Sequence, residues 1–376
     1  MKIIVACDSF KGSVTSAEAG EAVARGVRCV APEAEVSVIQ MADGGEGTAR
    51  ILTSLCDGTI HRCEVRDAIG RPVTAAYGIT GNKAIIEMAE ADGLTLIPAE
   101  LRNPAVTSTY GTGELILDAV RHGCREVIVC LGGSATNDGG AGMLQALGWR
   151  LLDTDGREIG AGGYEAGRLA RIDDSNVSAA VRQLKVTIAS DVTAPLSGPG
   201  GASYTFAPQK GASPEMLPLL DSALSRYADV VTRFAGEDFT EAPGAGAAGG
   251  LGFALMALMR GETLAGAELV LDMAGFDEML QEADLVITGE GRLDAQTLMG
   301  KGPVVVLNRA MSRDVPVVAI AGALDSSDAT LLREAGFKDV YGISDPALPA
   351  EIAMNPSTTI RNIEATVREK LPQWLA

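Results

Sequence analysis

The chain has 376 residues, of which 47% are hydrophobic and 21% charged, and carries a net charge of −18. These values fit a well-packed globular protein with room for two domains and exclude a disordered chain. The acidic balance makes nucleic acid and anionic membranes poor partners, so any phosphate ligand needs local cations or a divalent ion.

The chain opens on MKIIVACDSF, which has too few apolar residues for a secretory leader, and no apolar run reaches the roughly 18 residues that span a bilayer. A cytoplasmic protein is expected. The six cysteines all precede residue 131 and none forms a CxxC pair, so they read as reduced core thiols rather than a zinc site. KIIVAC (2–7) predicts the first strand. A helix over 16–30 follows, with Thr15 or Ser16 as cap and Glu18 in its first turn. EVSVIQ (35–40) predicts a second strand, then the loop MADGGEG and a short helix. The pattern changes at about residue 59. A hairpin turned at 68–71 and a strand over 84–89 imply antiparallel pairing. EVIVCL (126–131) and KVTIAS (185–190) are further strands, with helices expected over 112–122 and 214–234. Strand–helix alternation returns near residue 275 with DLVIT, PVVAIA and KDVYGI, and a last helix starts at Pro356 behind the cap Asn355.

The fold class expected is α/β with two α/β domains. Residues 1–58 and 275–376 form a flavodoxin-like parallel five-stranded sheet, and residues 59–274 form an inserted mixed-sheet domain. Two contiguous domains divided near residue 200 are the alternative. In the inserted arrangement, DSFKGS, MADGGEG, TGEGRLD, AGALDSS and SDP lie at one sheet edge, where ligands bind between strands 1 and 3. Lys11 and Asp8 then face Glu290 and Arg292.

MADGGEGT and GGSATNDGGAGM each join a strand-like run to a helix, and a third glycine-rich segment, PGAGAAGGLG, also precedes a helical stretch. Bare amides before a helix suit an anion, and three such segments suit an extended phosphate ligand such as a nucleoside triphosphate. None is a Walker A loop, because Lys301 is followed by Gly302 where Ser or Thr is needed. No GxGxxG follows the first strand, which argues against NAD. The only histidines, His61 and His122, read as a strand residue and a helix-end cation, so His triads are set aside. Asp8, Asp43, Asp191, Glu290 and Asp325 lie at strand ends, as carboxylates beside a Mg²⁺–polyphosphate would, although an Asp there also caps helices. Asp191, after KVTIAS, is the strongest candidate to take a proton from a substrate hydroxyl. Lys11, Lys210, Arg292 and Lys301 occupy glycine-rich loops and are the candidate cations for a moving phosphoryl group.

DSFKGS, MADGGEGT, YGTGELI, GGSATNDGGAGM, GPGGASYTFAPQKGA, PGAGAAGGLG and ITGEGRLDAQTLMGKGP together resemble the signature blocks of bacterial glycerate kinases of the 2-phosphoglycerate-forming type. The resemblance runs from Asp8 to about Pro303. It implies ATP- and Mg²⁺-dependent phosphorylation of D-glycerate at its 2-hydroxyl, two α/β domains and an active site between them. One departure stands out: Ala194 occupies a position where the family usually has Asn. On these positions, Gly132, Gly133, Ser134, Thr136, Asn137, Asp138 and Gly139 are expected to hold the nucleotide. Asp191 and Lys11 are the catalytic candidates. Asp8, Ser9, Gly44, Gly45, Arg66 and Arg292 are expected at the substrate, and Glu290 and Asp43 at the metal. A kinase for a tartronate- or erythronate-like acid and a non-enzymatic metabolite sensor are the rival readings. Either a monomer or a homodimer is compatible with the sequence.

Overall fold

The computed structural model describes every residue except Asp43, Glu46, residues 345–347 and residue 376, with only the backbone of Ala350. The chain divides into two compact units, Met1–Asp43 with Ala267–Ala376, and Gly44–Gly266.

The first unit opens with β1 (Lys2–Cys7) and β2 (Glu35–Val38). The helix between them, Ser16–Val30, is capped as its sequence asks. The Thr15 hydroxyl accepts from Glu18 N while the Glu18 carboxylate accepts from Thr15 N, a reciprocal capping box.

The second unit follows. A hairpin of β3 (Thr59–Arg66) and β4 (Pro72–Thr80) leads into β5 (Lys83–Glu87), and β6 (Glu126–Cys130) comes next. A small antiparallel pair, β7 (Arg150–Leu152) and β8 (Arg171–Asp173), precedes β9 (Lys185–Ala189) and β10 (Glu262–Leu264). The main sheet has the order β10-β9-β6-β5-β4-β3, parallel from β10 to β5 and antiparallel beyond. The mixed sheet read from the hairpin is what forms.

The chain then returns to the first unit with β11 (Leu285–Leu293), β12 (Val317–Leu324) and β13 (Asp339–Gly342). The sheet order is β13-β12-β11-β1-β2, all parallel, which is the flavodoxin-like order expected. Its strands are apolar without alternation because both faces are covered. Ile3, Val5, Leu285, Ile287, Val318 and Ile320 join one core with Ile363, Val367 and Trp374 of the C-terminal helix, while Ile4, Val286 and Val317 are buried on the other face. Each such side chain contributes roughly 1.5–3 kcal/mol. That last helix, Pro356–Trp374, starts behind the expected cap, Asn355 accepting from Ser357 N and Thr358 N.

Two expectations differ from the structure. The units meet at residues 43/44 and 266/267, ahead of the expected 58/59 and 274/275. Helix Thr48–Leu55 belongs with the second unit because it packs on β4 and β5. In addition, TGEGRL and AGAL are not loops: β11 and β12 stay paired through Glu290↔Ala321 and Arg292↔Ala323. No helix among the described residues is long and apolar enough to cross a membrane.

Helix Thr48–Leu55 sits so close to β4 that a β-carbon on Gly78 would fall 1.7 Å from Thr53 Oγ1. Gly78→Ala is therefore expected to destabilise the protein by about 1–3 kcal/mol, as overpacking does, and to lower the melting temperature by calorimetry. An unchanged melting temperature would contradict this packing.

Candidate active site

The candidate residues fall into two groups, one in each unit. In the first unit they collect at the carboxyl ends of β1 and β11, where the strand order reverses. Asp8 follows β1 directly, with its amide donating to Gly289 O and its Oδ1 accepting from Ser9 N at 2.6 Å. Gly302, at the start of helix Gly302–Met311, lies against the Asp8 carboxylate, which a β-carbon there would meet at 3.8 Å. Glu290 is half-buried and accepts from Thr297 Oγ1 at 2.8 Å. Burial pushes its pKa up. The Thr297 hydroxyl and Lys301 oppose that rise, and the charges of Asp8 and Asp294 add to it.

Lys301 Nζ stands 3.8 Å from Asp294 and 4.0 Å from Glu290. Arg292, expected in a loop, extends from β11 and is exposed, 3.5 Å from both Asp294 and Asp325. Lys11 is exposed in the turn closed by the Phe10–Val14 bridge. Asp294 and Thr297 were not singled out as site residues. Asp294 caps the turn Ala295–Met299 through Gln296 N, which aims the Thr297 hydroxyl at Glu290. The D-x-x-T spacing of a capping box was the available signal. Asp43, expected at the metal, lies outside the described residues.

In the second unit the three glycine segments converge at the carboxyl ends of β5, β6 and β9. Gly132 donates to Gly44 O at 3.3 Å, and a β-carbon on Gly132 would fall 2.5 Å from Gly45 Cα. Gly249, at φ +67°, leaves no such room either, since its β-carbon would meet Thr136 O at 2.0 Å. These glycines permit backbone-to-backbone packing, which is a different reason for them from open amides. Glu87, at the end of β5, accepts from Ala49 N at 2.7 Å on helix Thr48–Leu55.

The 132–140 loop is held almost entirely from within. Ala135 N donates to Asp92 O and Gly139 N to Gly249 O, while Gly133 O accepts from Leu94 N. Asn137 Nδ2 donates to Ser203 Oγ at 3.0 Å. Asp138 is fully buried. Its oxygens accept from Thr109 N, Thr109 Oγ1, Gly140 N and Gly142 N at 2.8–3.2 Å. Asp92, equally buried, accepts from Thr112 N and Thr112 Oγ1. The two carboxylates thus sit on the first turn of helix Tyr110–Arg121, where its dipole favours them. Thr136, Asn137, Asp138 and Gly139, all expected at the nucleotide, are buried. Gly132 and Gly133 are the accessible members, with Ser134 at 8% exposure beside them. The helix that follows, Ala141–Ala146, has only six residues, so its dipole adds little to an anion site.

Asp191 is exposed, and its Oδ1 accepts from Gly266 N at 2.8 Å, ahead of helix Gly266–Met273. Capping, the competing reading of such an Asp, is therefore one of its roles. Ala194 lends its carbonyl to Gly246 N at 2.9 Å. Arg66 ends β3 with its guanidinium 4.3 Å over the Tyr110 ring and 3.5 Å from Glu114. Lys210 is no loop cation: it is 2% exposed and donates to Ser134 Oγ and Thr136 O. Among the described residues, no group of three or more His, Cys, Asp or Glu side chains could hold a metal ion unaided.

The family model described as "Glycerate kinase family" matches residues 3–374. The chain is 45% identical to a glycerate kinase of Bacillus subtilis over 98% of both chains. It is 44% identical to the glycerate 2-kinase of Escherichia coli K12, over 91% of this chain and 90% of that one. A crystal structure from Salmonella typhimurium LT2, described as a candidate glycerate kinase 2, superposes with a TM-score of 0.86 at 41% identity, covering 99% of this chain and 98% of that one.

Burial raises the Asp92 pKa well above 3.8, with the Thr112 bonds opposing and Asp138 adding to the rise. A raised folded-state pKa means that stability is fully present below the unfolded value and is lost as pH rises through the folded one. Asp92→Asn should remove this loss. The melting temperature of the variant relative to wild type is expected to be more favourable at pH 7 than at pH 4, and a constant difference would contradict the shift.

Proposed function

The chain belongs to the glycerate kinase family, and we propose that it transfers the γ-phosphoryl group of ATP to the 2-hydroxyl of D-glycerate, giving 2-phospho-D-glycerate and ADP. The observation that carries this reading is the near-full-length similarity to the Escherichia coli glycerate 2-kinase. As a kinase the chain uses ATP. For the divalent ion we propose Mg²⁺, which takes one or two carboxylates and fills its remaining positions with water and phosphate oxygens. Asp8 and Glu290 fit that donor set, being two carboxylates close enough for one to oppose ionisation of the other. When bound, ATP supplies the phosphoryl group and Mg²⁺ offsets the charge on its oxygens.

The protein's own residues then have separate tasks. Gly132, Gly133 and Ser134 present the loop surface to the nucleotide, while Thr136–Gly139 hold its shape. Lys11 and Lys301 stabilise negative charge on the transferred group. Arg66 in the second unit and Arg292 in the first are each exposed and beside a carboxylate, so either can take the acid's carboxylate by exchanging partners. Asp191 accepts the proton of the glycerate hydroxyl as the oxygen attacks phosphorus.

Ala194 supports one competing reading, a kinase for another small hydroxy acid, because it stands where the family usually has Asn, and an Asn amide there could contact substrate. Comparing kcat/KM for D-glycerate, tartronate and erythronate separates the two.

With ATP and Mg²⁺, rapid ADP release is expected with D-glycerate and not with L-glycerate or without acceptor. The product should show a 2-phospho resonance by ³¹P NMR, and a 3-phospho product would overturn the assignment. Asp191→Asn keeps an acceptor for Gly266 N–H while losing the base. Its kcat is expected to fall about 100-fold or more, with nucleotide affinity unchanged. A kcat near wild type would remove Asp191 from the proton-transfer role.

A further inference from the structure

Lys210 belongs to the segment GPGGASYTFAPQKGA and ends the turn Pro208–Lys210. It is among the largest fully buried side chains of the protein. Its Nζ donates to Ser134 Oγ and to Thr136 O, each at 2.7 Å. Burying an ammonium is costly unless its donors are engaged and a counter-charge is near. Both conditions hold here, with Asp138 supplying the charge. A methionine would fill the same volume without that cost. What lysine adds is two directed donors under the loop and a positive charge close to its accessible glycines.

The bond to Ser134 has a further consequence. A hydroxyl that accepts from an ammonium keeps its own hydrogen to donate. Ser134 is therefore set as a donor, the polarity that an anionic oxygen needs.

We propose that Lys210 is a positioning residue for the 132–140 loop, fixing Ser134 and Thr136 so that Gly132, Gly133 and the Ser134 hydroxyl receive nucleotide phosphate. This rests on the reading that the loop receives the nucleotide. Burial brings the Lys210 pKa down to about 7, with Asp138 opposing the fall, so the side chain keeps its donors at neutral pH in either protonation state.

The test uses the full-length enzyme, Lys210→Met and Ser134→Ala, with ATP and D-glycerate varied in turn. For Lys210→Met the KM for ATP is expected to rise about tenfold, while kcat at saturating ATP and the KM for D-glycerate stay within about twofold. Ser134→Ala should shift the KM for ATP in the same direction by a smaller factor. An unchanged KM for ATP in Lys210→Met, or a fall in kcat alone, overturns the proposal. If Lys210→Met does not fold, Ser134→Ala decides, and a wild-type KM for ATP there overturns it. Hydrogen exchange of wild-type residues 130–141 with the non-hydrolysable analogue AMP-PNP separates the two layers. Absence of protection removes both the loop reading and the proposal, whereas protection with an unchanged KM in the variants removes Lys210 alone.

Discussion

A single buried carboxylate organises the loop face of the second unit. Asp138 accepts four hydrogen bonds from Thr109, Gly140 and Gly142, so it ties the 132–140 loop to the start of helix Tyr110–Arg121 and to its own continuation. A charge so far from water is tolerable only with its lone pairs filled and a cation nearby. Lys210 supplies the cation and holds the loop's other end. The glycines follow from this arrangement. Once the loop is drawn inward, it lies against residues 44–45 and 249–250 at distances that leave no space for side chains.

The first unit meets a different constraint. Strand order reverses between β1 and β11, and charges of both signs collect at their carboxyl ends. Burial and the charges of Asp8 and Asp294 disfavour ionisation of Glu290, while the Thr297 hydroxyl and Lys301 relieve it. Such a balance suits a site that must accept both a cation and phosphate. A protein with a net charge of −18 repels anionic ligands at long range, so attraction has to be built at short range.

Burial divides the candidate site residues into two sets. Thr136, Asn137, Asp138, Asp92 and Lys210 are buried, whereas Gly133, Lys11, Asp191 and Arg292 are exposed. A backbone held in this way is already ordered, so a ligand that binds it need not bear the cost of ordering it.

The sequence by itself determined the longer strands, the hairpin and the helix caps at Thr15 and Asn355, because these depend on local periodicity and on side chains a few residues apart. The short strands β7, β8 and β10 carry too little pattern to be read. Glycine-rich turns and strand-end carboxylates are short-range signals too, and the glycine segments they marked do come together in the fold. Tertiary structure alone decided what each residue does there. Long-range pairing carried β11 and β12 through Glu290 and Arg292, turning expected loop residues into strand residues. Packing on β4 and β5 assigned helix Thr48–Leu55 to the second unit. The burial of Asp138 and Lys210 was likewise not legible, because sequence spacing carries no information about which side chains the fold encloses.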